Sequence, residues 1–413
     1  MTDQLEETLK TTLGTASRRA PEPWPDLLRQ VERRHRRRRV NRAGTALVTV
    51  IALVGGGITA GQALFQSGPP EPQRVVSPAD ASLPTPPPEQ PVPVGSLWPQ
   101  AVRSVPDTLP GDGRKYVPRL LVDDHTLLAT TGSGSEKVDE LWLYDVEKAR
   151  ANRLATVPSA GDVTISASGF TSGEGRIAWW QSVKTQNVEV TEIWAVPLTG
   201  GEPRVVTRAP TDPQADTRIE SLTITGGKVV WSTGSGVYEA PLAGGTARLL
   251  PDTEGHHIVR WPWIGTPGIA STRVPFKVLR NVRTGERRDT KPTSELLACG
   301  VTWCAGSDGV SDIVQRRDGT KGHTVLGGGS DMGTKNLPGL DRFLFAVVPA
   351  RLLNGRQPFP PGTYLYDLET RKIADLGVTP TSNRTGLSDP GARLYSYAQG
   401  EGRYALIDLA KIK

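Results

Sequence analysis

Cysteine and histidine are scarce in this chain of 413 residues, which has two cysteines and five histidines. No pair of histidines stands at metal-ligand spacing with a third acid or thiol nearby, so the sequence predicts no metal site. The Gly-x-Ser-x-Gly elbow of the α/β-hydrolases is also missing. We therefore expect a protein that is not an enzyme and that needs no cofactor.

An excess of basic over acidic residues is nearly absent from most of the chain, although the formal net charge is +6. Residues 1–42 hold eleven basic and six acidic residues, a net charge of +5, which leaves +1 for the rest of the chain. A nucleic-acid-binding surface needs many cationic side chains to replace the counterions of the phosphates. The large C-terminal part is therefore not expected to bind nucleic acid.

The chain does have one long uncharged segment. Residues 43–65 are 23 residues without a charge, enough to cross a bilayer core of roughly 30 Å as a helix. Eleven Lys and Arg residues precede this segment and only Arg74 stands among the next 20 residues, which by the positive-inside rule places the N-terminus in the cytoplasm. We predict a single transmembrane helix with residues 1–42 as a cytoplasmic tail. A cleaved signal peptide is the alternative, although the basic region is unusually long, the apolar core is longer than usual and no clean Ala-x-Ala site follows.

Two short motifs are associated with the predicted helix. Arginines beside it are expected to contact the anionic headgroups of the bilayer; these are Arg36, Arg37, Arg38, Arg39 and Arg42. Gly57 and Gly61 form a small-xxx-small pair that would let two helices pack closely. A homodimer through these glycines is a hypothesis, and the alternative is that they have no role in association.

Proline dominates residues 66–96, with ten prolines in 31 residues. Such a segment cannot form a packed core and behaves as a semi-rigid spacer of about 3.1 Å per residue. We interpret residues 66–96 as an extracytoplasmic linker, and residues 97–413 as the extracellular domain that the linker carries.

A degenerate repeat runs through residues 97–413. In each copy a turn, glycine-marked in the best copies, precedes an apolar strand, and a second strand with alternating apolar positions follows. The seven first strands are HTLLATTG (125–132), GRIAWWQS (175–182), GKVVWSTG (227–234), TPGIAST (266–272), GVTWCAGS (300–307), DRFLFAVV (341–348) and ARLYSYAQ (392–399). A third strand follows in six copies. The seventh copy has no such segment after it, and the strand-like segment QAVRSVP (100–106) at the start of the domain could provide its third strand. Pairing the two ends of the domain in this way would remove an exposed sheet edge.

The repeat length of about 45 residues suits four-stranded blades around a central channel. The sequence therefore predicts an all-β fold, a β-propeller of seven four-stranded blades. Six or eight blades are the alternatives, because the fourth copy is the weakest.

Two blade sequences carry a family resemblance, IWAVPLTGGEPRVVT (193–207) and VYEAPLAGGTARLLP (237–251). They resemble the TolB-like and WD-repeat-like propellers of bacterial envelope proteins. The resemblance covers most of residues 97–413 and implies a fold rather than an activity. It implies a membrane-anchored module that binds a protein, peptide or envelope ligand. The alternatives are a transmembrane sensor whose cytoplasmic tail reports ligand binding, and a propeller-based hydrolase or lyase.

Two groups of residues stand out within the repeat. Cys299 and Cys304 flank the turn of one hairpin, and in an oxidising compartment this placement favours a disulfide over two free thiols. The segment GHHIVRWPWIG (255–265) concentrates Trp and Arg, which are frequent in binding hot spots. The predicted ligand-binding residues are His256, His257, Arg260, Trp261 and Trp263. The alternative is that both tryptophans only pack between blades.

Overall fold

The computed structural model of this chain divides into two units, residues 1–75 and residues 76–413. The structure describes residues 90–132, 137–158, 165–185, 188–209, 219–266, 276–291, 298–307, 311–327, 337–348, 359–378 and 391–413. The predicted tail and transmembrane helix, most of the linker, the glycine pair and the five arginines lie outside these residues, so those predictions remain open. No helix in the described part of the chain is both long enough and apolar enough to cross a membrane.

The described chain begins with two short strands that belong to the last two sheets of the domain. The strands are Val92–Pro93 (β1) and Val102–Pro106 (β2), and the helical turn Val94–Leu97 (α1) lies between them in the sequence. The rest of the domain forms seven sheets in chain order, which confirms the repeat.

Blades 1 to 5 each contain four consecutive antiparallel strands. Blade 1 contains Val117–Leu121 (β3), Thr126–Thr131 (β4), Glu140–Asp145 (β5) and Arg150–Thr156 (β6). Blade 2 contains Ile165–Gly173 (β7), Arg176–Thr185 (β8), Val188–Pro197 (β9) and Arg204–Arg208 (β10). Blade 3 contains Ser221–Thr225 (β11), Lys228–Thr233 (β12), Gly236–Pro241 (β13) and Arg248–Leu249 (β14). Blade 4 contains His257–Arg260 (β15), Trp263–Thr266 (β16), Val278–Asn281 (β17) and Arg287–Asp289 (β18). Blade 5 contains Ala298–Cys299 (β19), Trp303–Ser307 (β20), Ser311–Arg316 (β21) and His323–Gly327 (β22).

The last two blades include the strands from the start of the domain. Blade 6 contains Phe343–Val348 (β23), Gly362–Asp367 (β24) and Ile373–Asp375 (β25), with β1 added parallel to β25. Blade 7 contains three described strands, Leu394–Gly400 (β26), Arg403–Asp408 (β27) and β2, and the 3₁₀ turn Leu409–Lys411 follows. Since β2 is antiparallel to β27, the prediction that segment 100–106 completes the seventh copy is confirmed.

Apolar side chains fill the interfaces between neighbouring blades. Trp179 lies between blades 1 and 2, Trp231 between blades 2 and 3, and Trp303 between blades 5 and 6. Leu406 of blade 7 packs with Leu127 of blade 1. Because the last interface joins the seventh sheet to the first, the sheets close into a seven-bladed β-propeller.

In the fourth blade the strand predicted at 266–272 begins earlier than expected. β16 starts at Trp263, three residues before the predicted start, and residues 267–275 lie outside the described part of the chain. The buried Ile264 packs with Val230 of blade 3, which fixes this earlier register. The prediction placed the strand too late because the alternating run starts at Trp263, directly after a two-residue turn.

The two faces of the ring carry different connections. On one face, here the turn face, short turns such as 174–175 and 226–227 join the first and second strands of a blade. Gly226 and Gly227 have φ of +58° and +71°, a left-handed pair that two-residue hairpins need. On the opposite face, the loop face, connections reach the length of residues 209–220.

Candidate functional site

The five predicted binding residues do not form one cluster. His257 starts β15 and Arg260 ends it, so they are separated by about 10 Å of extended chain. His257 lies toward the loop face, and Arg260 lies at the turn face. The structure therefore divides the predicted site into two places.

At the loop-face end, His257 pairs with a carboxylate of the preceding blade. Its side chain is buried, and Nδ1 contacts Oε2 of Glu220, the residue before β11. Its Nε2 is buried and has no hydrogen-bond partner among the described residues. His256 is partly exposed, and its Nδ1 lies 3.1 Å from the backbone carbonyl oxygen of Glu254.

Sequence reasoning missed Glu220. This residue belongs to blade 3 and has no local motif that marks it, so only the alignment of one blade on the next could have suggested the pair. Glu220 is partly exposed while His257 is buried. The pair is thus a polar link between blades 3 and 4.

The two tryptophans pack on opposite faces of blade 4. Trp261 contacts the cluster around Ile264 at the interface with blade 3. Trp263 contacts the cluster around Leu279 at the interface with blade 5, and the guanidinium of Arg288 lies 4.4 Å from its ring centroid. Both rings therefore contribute to packing between blades, as the alternative interpretation stated. Ligand binding by these tryptophans stays a prediction.

At the turn-face end, β15 reaches a shallow depression walled by three consecutive blades. Its lining residues are Val259 and Arg260 of blade 4, Gly300 and Val301 of blade 5, and Leu337, Pro338 and Asp341 of blade 6. We call this set the turn-face depression. Its enclosed volume is about 10 Å³, roughly what one water molecule needs. The depression is therefore a shallow contact surface and not a pocket that encloses a substrate.

One cation and one anion border the depression. The exposed Arg260 donates from Nη1 to the backbone carbonyl of Leu340 at 3.0 Å, which holds the guanidinium at the rim and leaves its other N–H groups free of described partners. Asp341 accepts a hydrogen bond at Oδ1 from the backbone N–H of Thr302 at 3.0 Å. A Cβ on residue 300 would lie 2.4 Å from that oxygen, which is too close. The Asp341 carboxylate can therefore occupy this position only because residue 300 is glycine.

A buried arginine holds the blade 5 wall in place. Arg317 is 4% exposed and donates to the carbonyl of Gly300 from Nε at 3.0 Å and from Nη2 at 2.7 Å. Its Nη1 donates to the carbonyls of Phe276 and Lys277 at 2.9 and 3.1 Å. Burial lowers the pKa of Arg317 to about 10, although the charge of Asp341 opposes this shift. The side chain remains charged at neutral pH and ties blade 4 to blade 5.

The predicted disulfide is present beside the depression. Cys299 and Cys304 are bonded and lie directly opposite each other on β19 and β20, with Cα atoms 3.9 Å apart. Thr290 Oγ1 lies 3.4 and 3.3 Å from the two sulfur atoms. Both cysteines are fully buried, so the bond is a structural link across the turn that carries Gly300.

The described ranges contain no group of three or more His, Cys, Asp and Glu side chains arranged to hold a metal ion. The turn-face depression offers a guanidinium, a carboxylate and an apolar surface from Val301, Leu337 and Pro338. Such a set can bind by ion pairing and apolar contact.

Comparison with known proteins identifies no family for this chain. No family model matches the chain, and no curated protein matches its sequence. Among solved structures, it is similar to an oligogalacturonate lyase in complex with manganese, at 12% identity and a TM-score of 0.32 over 72% of this chain and 77% of the other. A Pyrococcus horikoshii acylaminoacyl peptidase is 12% identical with a TM-score of 0.40, over 63% of this chain and 44% of the peptidase. These likenesses are too weak to add to the fold, which the seven sheets define as a seven-bladed β-propeller, and the finer TolB-like resemblance stays a prediction.

Proposed function

We propose that this protein is a membrane-anchored β-propeller that binds a protein or peptide ligand outside the cell at the turn-face depression. The anchor is residues 43–65, with the basic tail inside and the proline-rich linker outside. The propeller is the binding module, and the lipid bilayer is the second partner of the chain.

The observation that carries this proposal is that Arg260 and Asp341 both border one apolar surface. Arginine is enriched among residues that dominate binding energy at interfaces, especially next to apolar contacts that exclude water. The depression is shallow, which suits contact with the surface of a protein or peptide rather than enclosure of a small molecule. Val301 and Leu337 line it and give the ligand a preformed apolar contact.

The lining charges favour a ligand segment that carries both signs. A carboxylate of the ligand would pair with the free N–H groups of Arg260, and a cationic group would pair with Asp341. Arg317 and Thr302 hold the two walls before any ligand arrives, so little ordering is required on binding.

The test compares two full-length variants in intact cells. Ligands are identified by proximity labelling, with a labelling enzyme fused to the C-terminus of the chain. Recovery of these ligands is then measured for the Arg260→Ala and Lys148→Ala variants. Lys148 is an exposed residue of the turn face with only a local partner, Asp145. We expect Arg260→Ala to reduce recovery of the specific ligand about tenfold or more, the effect of one lost charge-assisted contact, and Lys148→Ala to leave it unchanged. Equal recovery in both variants would overturn the proposal.

The anchor has a separate test. Reporter fusions at the N-terminus and after residue 413 should show a cytoplasmic N-terminus and an external C-terminus in the membrane fraction. Release of the domain into the medium would instead indicate a cleaved signal peptide.

A further inference from the structure

The first strand of each blade lies at the inner edge of its sheet, next to the central channel. Arg260 ends the first strand of blade 4 and donates to the carbonyl of Leu340 in blade 6, so it reaches past blade 5. Blades that are not neighbours can touch in this way only near the axis of the ring. Because β3 is the first strand of blade 1, it is the strand of that blade that borders the channel.

Arg119 lies in β3, in the half nearer the loop face, and its side chain contacts blade 2. Its Nε donates to Oγ1 of Thr130 at 2.8 Å, and its guanidinium carbon lies 5.4 Å from the ring centroid of Phe170 in blade 2. The register of β3 on β4 shifts between Pro118 and Leu120, and such a bulge changes the direction of a side chain. The guanidinium is thus held between blades 1 and 2.

This cation has no carboxylate beside it. Arg119 is partly buried and forms no ion pair among the described residues. Burial lowers the pKa of Arg119, and Tyr404 is the group that opposes this shift. In contrast, hydrogen bonds to Asp112 and Glu140 raise the pKa of Arg114 in the preceding segment. Since partial burial of a charge without a counter-charge costs free energy, an anion from outside the chain would stabilise Arg119.

Nearby carboxylates at the loop-face end of blade 1 and blade 2 already have cationic partners. The pairs are Asp107 with Lys115, Asp139 with Lys137, Glu140 with Arg114 and Arg153, and Glu192 with Arg208. Nη1 and Nη2 of Arg119 have no described hydrogen-bond partner and are not among the buried nitrogen atoms. These two groups are therefore open to a ligand.

Apolar side chains flank the same guanidinium. Val117 is 44% exposed and is directly opposite Thr130 in the pairing of β3 with β4. Directly opposed residues project from the same face of a sheet, so Val117 shares the face on which Thr130 contacts Arg119. Phe170 is partly exposed on the side of blade 2. The cation thus has an apolar neighbour on each blade.

We propose that Arg119 binds a ligand carboxylate that has an apolar group next to it, as in the C-terminal residue of an apolar peptide. The open Nη1 and Nη2 groups form a fork that matches the two oxygens of a carboxylate. One guanidinium balances the single charge of a carboxylate, whereas it would leave a phosphate monoester with excess charge. Val117 and Phe170 supply the apolar contact. This site is separate from the turn-face depression, which belongs to blades 4 to 6.

The test titrates N-acetyl-L-leucine into the full-length chain in neutral detergent at pH 7 and follows the heat of binding. N-acetyl-L-leucinamide is the matched probe without the charge, and acetate is the matched probe without the apolar group. We expect saturable binding of the acid in the millimolar range, as suits one ion pair at a partly exposed site. Binding of the amide and of acetate should be weaker by about tenfold.

The variants are Arg119→Gln and Arg119→Lys, and the matched control is Arg153→Gln, an exposed arginine of the same blade that pairs with Glu140. We expect Arg119→Gln to weaken binding of the acid about tenfold. Arg119→Lys should cause a smaller loss, because lysine keeps the charge but not the fork, and Arg153→Gln should cause none. Glutamine can still donate to Thr130, and melting temperatures without the probe show whether each variant is folded.

Three results would overturn the proposal. They are the absence of saturable binding of the acid, equal binding of the acid and the amide by the wild type, and an equal effect of Arg119→Gln and Arg153→Gln. Equal binding of the acid and acetate would overturn the apolar part of the site. The comparison of probes uses the wild type alone, so it decides the question even where a variant does not fold.

Discussion

Val102 of β2 lies directly opposite Ile407 of β27, so residues from the two ends of the domain form one antiparallel pair. The backbone N–H of Asp408 also donates to the carbonyl of Ala101 at 2.8 Å. Without β2, the outer edge of β27 would be left open to pairing with other chains. Closure of the ring therefore depends on a strand at the start of the domain.

The apolar contacts of β2 should be essential to stability. Val105 is 4% exposed and packs at the interface between blades 7 and 1, whereas Val117 of β3 is 44% exposed. We expect Val105→Ala to lower the free energy of unfolding by about 2 kcal/mol, and Val117→Ala to change it by less than about 0.5 kcal/mol. Denaturant unfolding measures both. Equal effects would mean that β2 does not close the ring.

The ion pair of Arg342 with Asp367 ties the start of β23 to the end of β24. Nε and Nη2 of Arg342 donate to the two carboxylate oxygens at 2.7 and 2.6 Å, and Thr370 Oγ1 donates to Oδ2 at 2.6 Å. Asp367 is fully buried. Burial raises the pKa of this carboxyl. The hydrogen bonds from Arg342 and Thr370 together lower the pKa by more than burial raises it, so the pKa lies below its ordinary value.

A depressed pKa in the folded state predicts a loss of stability in acid. The stabilisation from Asp367 is complete above its unfolded pKa of about 3.9 and is lost as the pH falls through the lower folded value. At pH 7 we expect Asp367→Asn to cost about 3 kcal/mol, because Arg342 loses its charged partner. Below about pH 4 the difference between the variant and the wild type should shrink.

The matched control for that measurement is Asp252→Asn, since Asp252 is exposed and forms no ion pair among the described residues. Its free energy of unfolding should follow the wild type at both pH values. A constant difference between Asp367→Asn and the wild type from pH 7 to pH 3 would contradict the assigned role of Asp367.

The disulfide should contribute modestly. Because Cys299 and Cys304 enclose a short loop, the chain-entropy model gives about 2 kcal/mol for the bond. We expect the double variant Cys299→Ala, Cys304→Ala to lose about that amount, and the wild type in reductant to behave similarly. Two freely alkylated thiols in the oxidised protein would contradict the bond.

The link between Glu220 and His257 should be stabilising as well. Glu220→Ala would leave both ring nitrogens of the buried His257 without a described partner, at a cost of about 1–3 kcal/mol. Glu254→Ala serves as the control, because the contact of His256 is to the backbone carbonyl of Glu254 and not to its side chain. Thermal unfolding that is equal for the two variants would show that the contact has no energetic role.

Much of the fold could be predicted because the blades repeat. Glycine-rich turns and period-two alternation predict the second, third and fourth strands of most blades, and the apolar pattern of segment 100–106 predicts the strand that completes the seventh. The innermost strands carry a weaker signal, because a short strand such as His257–Arg260 has too few residues to show alternation. In the fourth blade the start of β16 follows that short strand and the turn at residues 261–262, which makes the start hard to place from the sequence.

The candidate site was harder to predict because it is assembled across blades. Local composition marks Arg260, but Asp341 and Val301 come from the next two blades and have no common motif with it. Trp261 and Trp263 are close in the sequence, yet they pack at different blade interfaces because a turn and the alternation of side chains separate them. Cys299 and Cys304 can be paired from the sequence because a hairpin is a local structure.

Site-specific photocrosslinking in living cells tests most directly whether a ligand occupies the turn-face depression. A benzophenone amino acid replaces Leu337 in the full-length chain and, at a matched position on the same face, Lys148. We expect a discrete adduct with one partner from position 337, lost when Arg260→Ala is added and absent from position 148. No adduct from position 337, or one that survives Arg260→Ala unchanged, would contradict a ligand site there.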